Sequence, residues 1–95
     1  MKPSDVIRRG WCRRALALDS DGQFVKPGST RATAHCLIGA CVSAGVDIRR
    51  GALDGIVLRQ VIRSAAGREC GLTEFNDVVA VSSEQVARVL ENAGL

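Results

Sequence analysis

The chain has no tyrosine, one tryptophan, Trp11, and only two phenylalanines, Phe24 and Phe75. Its core must therefore be aliphatic, resting on Leu, Val, Ile and Ala, and each large side chain carries more of the packing than usual. No run of about 18 apolar residues occurs, which excludes a membrane-spanning helix. Met1 is followed by KPSDVIRRG, without the apolar stretch of a signal peptide, so a cytoplasmic location is expected. No repeat or low-complexity tract is present. With 95 residues there is room for one modest core, and residues 1–95 are expected to form a single domain.

Acidic residues are outnumbered ten to thirteen, a mild excess that gives a formal charge of +3. Lysine supplies only Lys2 and Lys26, and arginine the remaining eleven basic residues. Arginine presents planar anions with a fork of donors that lysine lacks, which points to phosphate or carboxylate partners; the competing reading is a solvated surface rich in Arg through codon usage. Duplex DNA is disfavoured, because +3 is low for backbone affinity and no helix-turn-helix pattern occurs.

The 46% hydrophobic and 24% charged residues suit a folded globular chain. Periodicity gives a mainly α protein with a small β-hairpin, an α+β class, in which a central buried helix is packed by three other helices and the hairpin. The central helix is read over Ser29–Gly45, capped by Ser29 or Thr30, since this stretch is apolar on nearly every side. Along it His35, Gly39 and Ser43 form a strip where another backbone or a ligand can approach. Pro3-Ser4-Asp5 opens a short first helix, with Ser4 as its cap and Gly10 as its stop. Asp21-Gly22 is a hairpin turn signal that puts Phe24 on a return strand, and Lys26-Pro27-Gly28 is a connector.

Ala52–Ala66 repeats apolar residues at Leu53, Ile56, Val57, Val61, Ile62 and Ala65, a helix with one buried face and with Arg59, Gln60 and Arg63 outward. Gly67 ends it. RECGLTEFND then reads as a loop anchored by Leu72 and Phe75. Ser82 with Gln85 three residues on is a capping box for a last helix buried through Val86, Val89, Leu90 and Ala93.

The four cysteines, Cys12, Cys36, Cys41 and Cys70, include no Cys-x-x-Cys pair, so structural zinc is not expected and buried thiols are. His35, Cys36 and Asn76-Asp77 invite comparison with a cysteine hydrolase. Adjacent positions on a helix point about 100° apart, however, and no nucleophile turn is present, so no enzymatic activity and no cofactor are expected. Asn76-Asp77 is read as a structural Asx turn or as a polar site contact. The surface feature that stands out is Arg8, Arg9, Trp11, Arg13 and Arg14, four guanidinium groups around an indole, suited to a nucleotide or a single strand unless Trp11 is simply core.

Gly10-Trp11-Cys12, Asp19-Ser20-Asp21-Gly22, His35-Cys36-Leu37-Ile38-Gly39-Ala40, Phe75-Asn76-Asp77 and Ser83-Glu84-Gln85-Val86 together resemble an uncharacterised family of small bacterial and phage proteins. The family commonly has a Trp-Asn-Asp tripeptide where Phe75 stands here. The resemblance implies a stand-alone domain and brings no activity with it. The function expected from the arginine cluster is that of a non-enzymatic binding protein, a homo-oligomer, that captures an anionic ligand such as a nucleotide or nucleotide signal. Phage proteins that sequester such signals supply an analogy of role. Its ligand contacts are expected among Arg8, Arg9, Trp11, Arg13, Arg14, Phe75, Asn76 and Asp77. The alternative is a protein-interaction module docking on an acidic partner.

Overall fold

The computed structural model describes residues 1–95 as five helices and one short antiparallel strand pair. In chain order these are α1 (Pro3–Arg9), β1 (Ala17–Leu18), β2 (Ala34–His35), α2 (Leu37–Ser43), α3 (Leu53–Ala66), α4 (Leu72–Glu74) and α5 (Ser83–Asn92). Helix α4 runs on as a π-helical turn over Phe75–Val79. The mainly α class with a small β element stands. No helix is long and apolar enough to cross a membrane.

The interior is aliphatic, as the scarcity of rings requires. Ile7 of α1, Leu37 and Cys41 of α2, Leu58 and Ile62 of α3, and Val86 and Leu90 of α5 are all fully buried. Helix α1 packs on α5, α2 and β2. Pro3 sits in its first turn, where a missing N–H costs nothing. Ser4 does not cap it: the side chain is buried, and its Oγ donates to the Leu95 carbonyl oxygen at 3.1 Å, tying the two ends of the chain together. Arg8 reaches across to α5, donating to Glu84 and Glu91 at 2.8–3.2 Å, and these bonds hold both carboxyl groups below the usual range.

The capping box of α5 forms as its residues specify. Ser82 Oγ accepts from the Gln85 amide at 3.3 Å, while Gln85 Oε1 accepts from the Val81 amide, one residue before the cap. Gly67 ends α3 in the left-handed conformation at φ +72°.

Three further expectations about the helices are corrected. The central helix is shorter than read, because the amides of Thr33 and Cys36 go to the carbonyls of Leu18 and Leu16, and β1 draws residues 33–36 into extended backbone. Helix α2 starts only at Leu37, and Cys36 is its cap, with Sγ accepting from the Gly39 amide at 3.3 Å. Second, the RECGLTEFND segment is largely helical, although Leu72 and Phe75 anchor it in the core as read.

The third correction concerns α3, whose buried line is Gly55, Leu58 and Ile62, leaving Leu53 75% exposed. Gly55 sets this rotation. A Cβ there would collide with the carbonyls of Ile48 and Arg49, so the incoming loop fits only against a glycine, and Arg59 fixes it by donating to the Ile48 carbonyl at 2.8 Å. The Asp21-Gly22 turn does form, with Leu18 bridged to Phe24, but the two-residue strand pair is made with β2: Ala17 opposes His35 and Leu18 opposes Ala34.

Gly39 is the close-approach position on α2. A Cβ there would lie inside the contact radius of the Leu16 carbonyl group. Gly39→Ala is expected to lower the urea midpoint, with a loss of about 1 to 3 kcal/mol through overpacking. Helix propensity alone gives the opposite sign, a gain of about 1 kcal/mol, so a raised midpoint would show that the Leu16 strand yields.

Candidate functional site

After Gly10 the chain runs extended beside β2: the His35 amide donates to the Gly10 carbonyl at 3.0 Å and the Cys12 amide to the His35 carbonyl at 3.2 Å. This places the half-buried Trp11 ring over the π turn. Its Nε1–H donates to Asn76 Oδ1 at 2.8 Å, and the same oxygen accepts from the Leu37 amide at 3.0 Å. Asn76 Nδ2 donates to the Cys12 carbonyl at 3.1 Å and to Asp77 Oδ1 at 2.8 Å. A primary amide offers two donors and two acceptor sites, and here all four are used on a side chain only 1% exposed. Asn76 and Asp77 thus bond to other segments rather than closing an Asx turn on their own backbone.

Asp77 Oδ1 also accepts from the Arg14 amide at 3.1 Å. That contact holds Arg14 at φ +63°, the one non-glycine residue in the left-handed region, where an L side chain is strained by about 1–2 kcal/mol. Between the Arg14–Leu16 segment and Thr73, Asn76 and Asp77 lies a cleft of about 310 Å³, with Cys36 and Ile38 in its wall. An open trough of about 710 Å³ adjoins it across Leu16, lined further by Phe24, Val25, Lys26 and Pro27. Phe24 is 80% exposed.

The arginines predicted to cluster do not converge. Arg8 is held by two glutamates. Arg13 stacks over the Trp11 ring, 4.7 Å from its centroid, and donates to the Ala80 carbonyl where the π turn ends. Elsewhere Arg31, Arg49, Arg63, Arg68 and Arg88 pair with carboxylates, and Arg59 with carbonyls. Arg9, Arg14 and Arg50 alone have guanidinium groups without a protein partner. Of the expected contacts, the structure brings Arg14, Asn76 and Asp77 to one cleft, sets Arg9 in another, and buries Phe75 in the core. The sequence reading missed Leu16, Thr73 and Phe24 as wall residues; the signal for Phe24 was an aromatic ring two residues beyond a tight turn, with no neighbour to cover it.

His35 and Cys36 turn to opposite sides. His35 lines the cleft with Arg9, and Cys36 the cleft with Arg14. Burial raises the thiols of Cys12, Cys36 and Cys41, to about 11 for Cys12 and about 12 for Cys41, so they are protonated near neutral pH. No three His, Cys, Asp or Glu side chains converge to hold a metal ion.

This geometry assigns structural roles to the residues of the Trp and Asn-Asp motifs, and a comparison of the whole sequence identifies their context. The family of unknown function DUF6197 matches residues 4–94. The chain belongs to that family. No curated protein and no solved structure matches it. Function in this DUF6197 member must accordingly be argued from the site itself.

Burial also lowers the His35 pKa from its ordinary value of 6.5, and the neutral ring accepts the Gly28 amide at Nε2, 3.3 Å away. The unfolded chain then binds more protons than the folded one as pH falls below 6.5. Stability is expected to decline there, before the carboxylates titrate at about 4. Urea melts across pH should show this slope in the wild type and not in His35→Gln, which keeps an acceptor without a titrating group. Equal slopes would mean that the ring is solvated.

Proposed function

We propose that the protein is a non-enzymatic binding protein that captures an anionic ligand, of which a nucleotide is the best-fitting class, in the cleft between Arg14 and Asp77. The observation that carries this reading is Arg14. Its backbone is strained, its guanidinium has no acidic partner, and it stands where the cleft and the trough meet. Strain of this kind persists where surrounding contacts impose it, and such positions gather at ligand sites. Around it the walls offer complementary chemistry: Arg14 and Lys26 for phosphate, the carboxylate of Asp77 and the hydroxyl of Thr73 for donors on a base or sugar, and Leu16 and Phe24 for a flat apolar ring. A sequestering role of the phage type, a cytoplasmic location and a homo-oligomeric state belong to the same reading.

A second reading, docking of an acidic protein partner, is favoured by the exposure of Phe24 beside Leu16, Lys26 and Arg14, an apolar anchor with a basic rim. The two differ in what fills the narrow cleft over Asn76.

The test is a thermal-shift screen against nucleotides and cyclic oligonucleotides, repeated on Arg14→Gly. Glycine relieves the left-handed strain, so the free variant is expected to gain up to about 1 kcal/mol while losing the ligand-induced shift. Unchanged ligand affinity in Arg14→Gly would remove this site, and a less stable free variant would make Arg14 a structural residue.

A further inference from the structure

On the other side of β2 a separate cleft of about 300 Å³ is lined by Arg9, Ser29, Thr33, His35 and Ser43. No Asp or Glu contributes to its wall. Arg9, at the end of α1, has no ion-pair or hydrogen-bond partner. His35 is only 8% exposed, and the described clefts include no other that it lines. Because Nε2 accepts the Gly28 amide, the ring proton sits on Nδ1, which has no protein partner. Ser29 Oγ accepts from the Arg31 amide at 3.1 Å and so keeps its own proton to donate. Ser43 has a hydroxyl with no intramolecular bond. The ends of α1 and α2 also face this cleft: the Ile7, Ala40, Val42 and Cys41 carbonyls accept from the amides of Gly10, Ala44, Gly45 and Val46, while the last carbonyls, of Arg8, Arg9 and Ser43, accept from no backbone amide. These negative ends disfavour an anion, and the full charge of Arg9 offsets them.

We propose that the Arg9 cleft is a binding site for a phosphate group, either free phosphate or the head of a small phosphomonoester. The donors lining the cleft point to this ligand. A guanidinium fork, an imidazole N–H and two serine hydroxyls surround a space without an acid, more donors than a carboxylate uses and the set that a tetrahedral oxyanion satisfies. The His35 N–H belongs to that set because the mostly buried ring lines the cleft and its Nδ1 stays open to solvent there. The site is independent of the Arg14 cleft, which lies across β2 and is lined by different residues.

The experiment is titration of the ¹⁵N-labelled protein with inorganic phosphate and, separately, glycerol 3-phosphate, followed by NMR. Saturable shifts are expected at Gly28, Ser29, Ser43 and the His35 ring, retained in Arg14→Gly and weakened about tenfold or more in Arg9→Gln, which removes one charge-assisted contact. Arg9 holds no other group, so Arg9→Gln folds as the wild type does. Tighter binding of the ester would assign the site to a phosphomonoester, and tighter binding of the inorganic ion to free phosphate. Shifts that are absent, that spread equally over Arg9, Arg14 and Arg50, or that persist at wild-type affinity in Arg9→Gln overturn the proposal.

Discussion

The carboxamide of Asn76 is the contact on which the rest of the structure depends. It joins the Trp11–Cys12 segment, the first turn of α2 and the π turn through four hydrogen bonds made in the interior. Left unpaired, a buried donor or acceptor costs about 1–3 kcal/mol, so the amide is worth more as a satisfier of its neighbours than as a source of net attraction. The π turn serves it. One extra residue per turn, closed by the Ala80 amide on the Phe75 carbonyl at 2.8 Å, lets Phe75 face the core while Asn76 and Asp77 face the Trp11 and Arg14 segments. Asp77 then passes the constraint outward by holding the Arg14 amide, and the cleft over Asn76 follows.

Arginine does two kinds of work here. Most of the guanidinium groups are taken up by the fold: Arg8 fastens α1 to α5, Arg59 fastens the loop before α3, and Arg13 covers Trp11 and closes the π turn. Their planar forks suit these contacts better than a lysine would. The three left over are then informative in a way that the total is not, because two of them, Arg9 and Arg14, line clefts.

The helical pattern was legible where one local rule acted alone. The Ser82–Gln85 box, the Gly67 stop and the buried stripe of α5 follow from spacing and capping. Where two elements compete for the same amides, spacing misleads: Ala32–Cys36 has a helical pattern, yet Leu16 and Leu18 take its hydrogen bonds, and the face of α3 is chosen by a loop that needs Gly55. The residues of the site were legible in part. Asn76, Asp77 and Arg14 were picked out, but density of arginine along the chain says nothing of which guanidinium groups meet a glutamate or a carbonyl in three dimensions. Phe75, expected both to anchor the core and to contact a ligand, does only the first, and the exposed ring is that of Phe24, since only the packed structure decides which ring is covered.

The central claim, that the Asn76 amide organises both the fold and the cleft, is tested most directly by Asn76→Asp, which keeps the shape and replaces two donors by an acceptor. At neutral pH the variant should lose about 2 to 4 kcal/mol relative to wild type, since the Cys12 carbonyl and Asp77 lose their donor and the new carboxylate is buried. Its pKa must be raised by that burial, so the gap to wild type should narrow as pH falls and the neutral acid regains a donor. A loss below about 0.5 kcal/mol, the range of ordinary surface changes, or a gap that does not change with pH, would contradict the account.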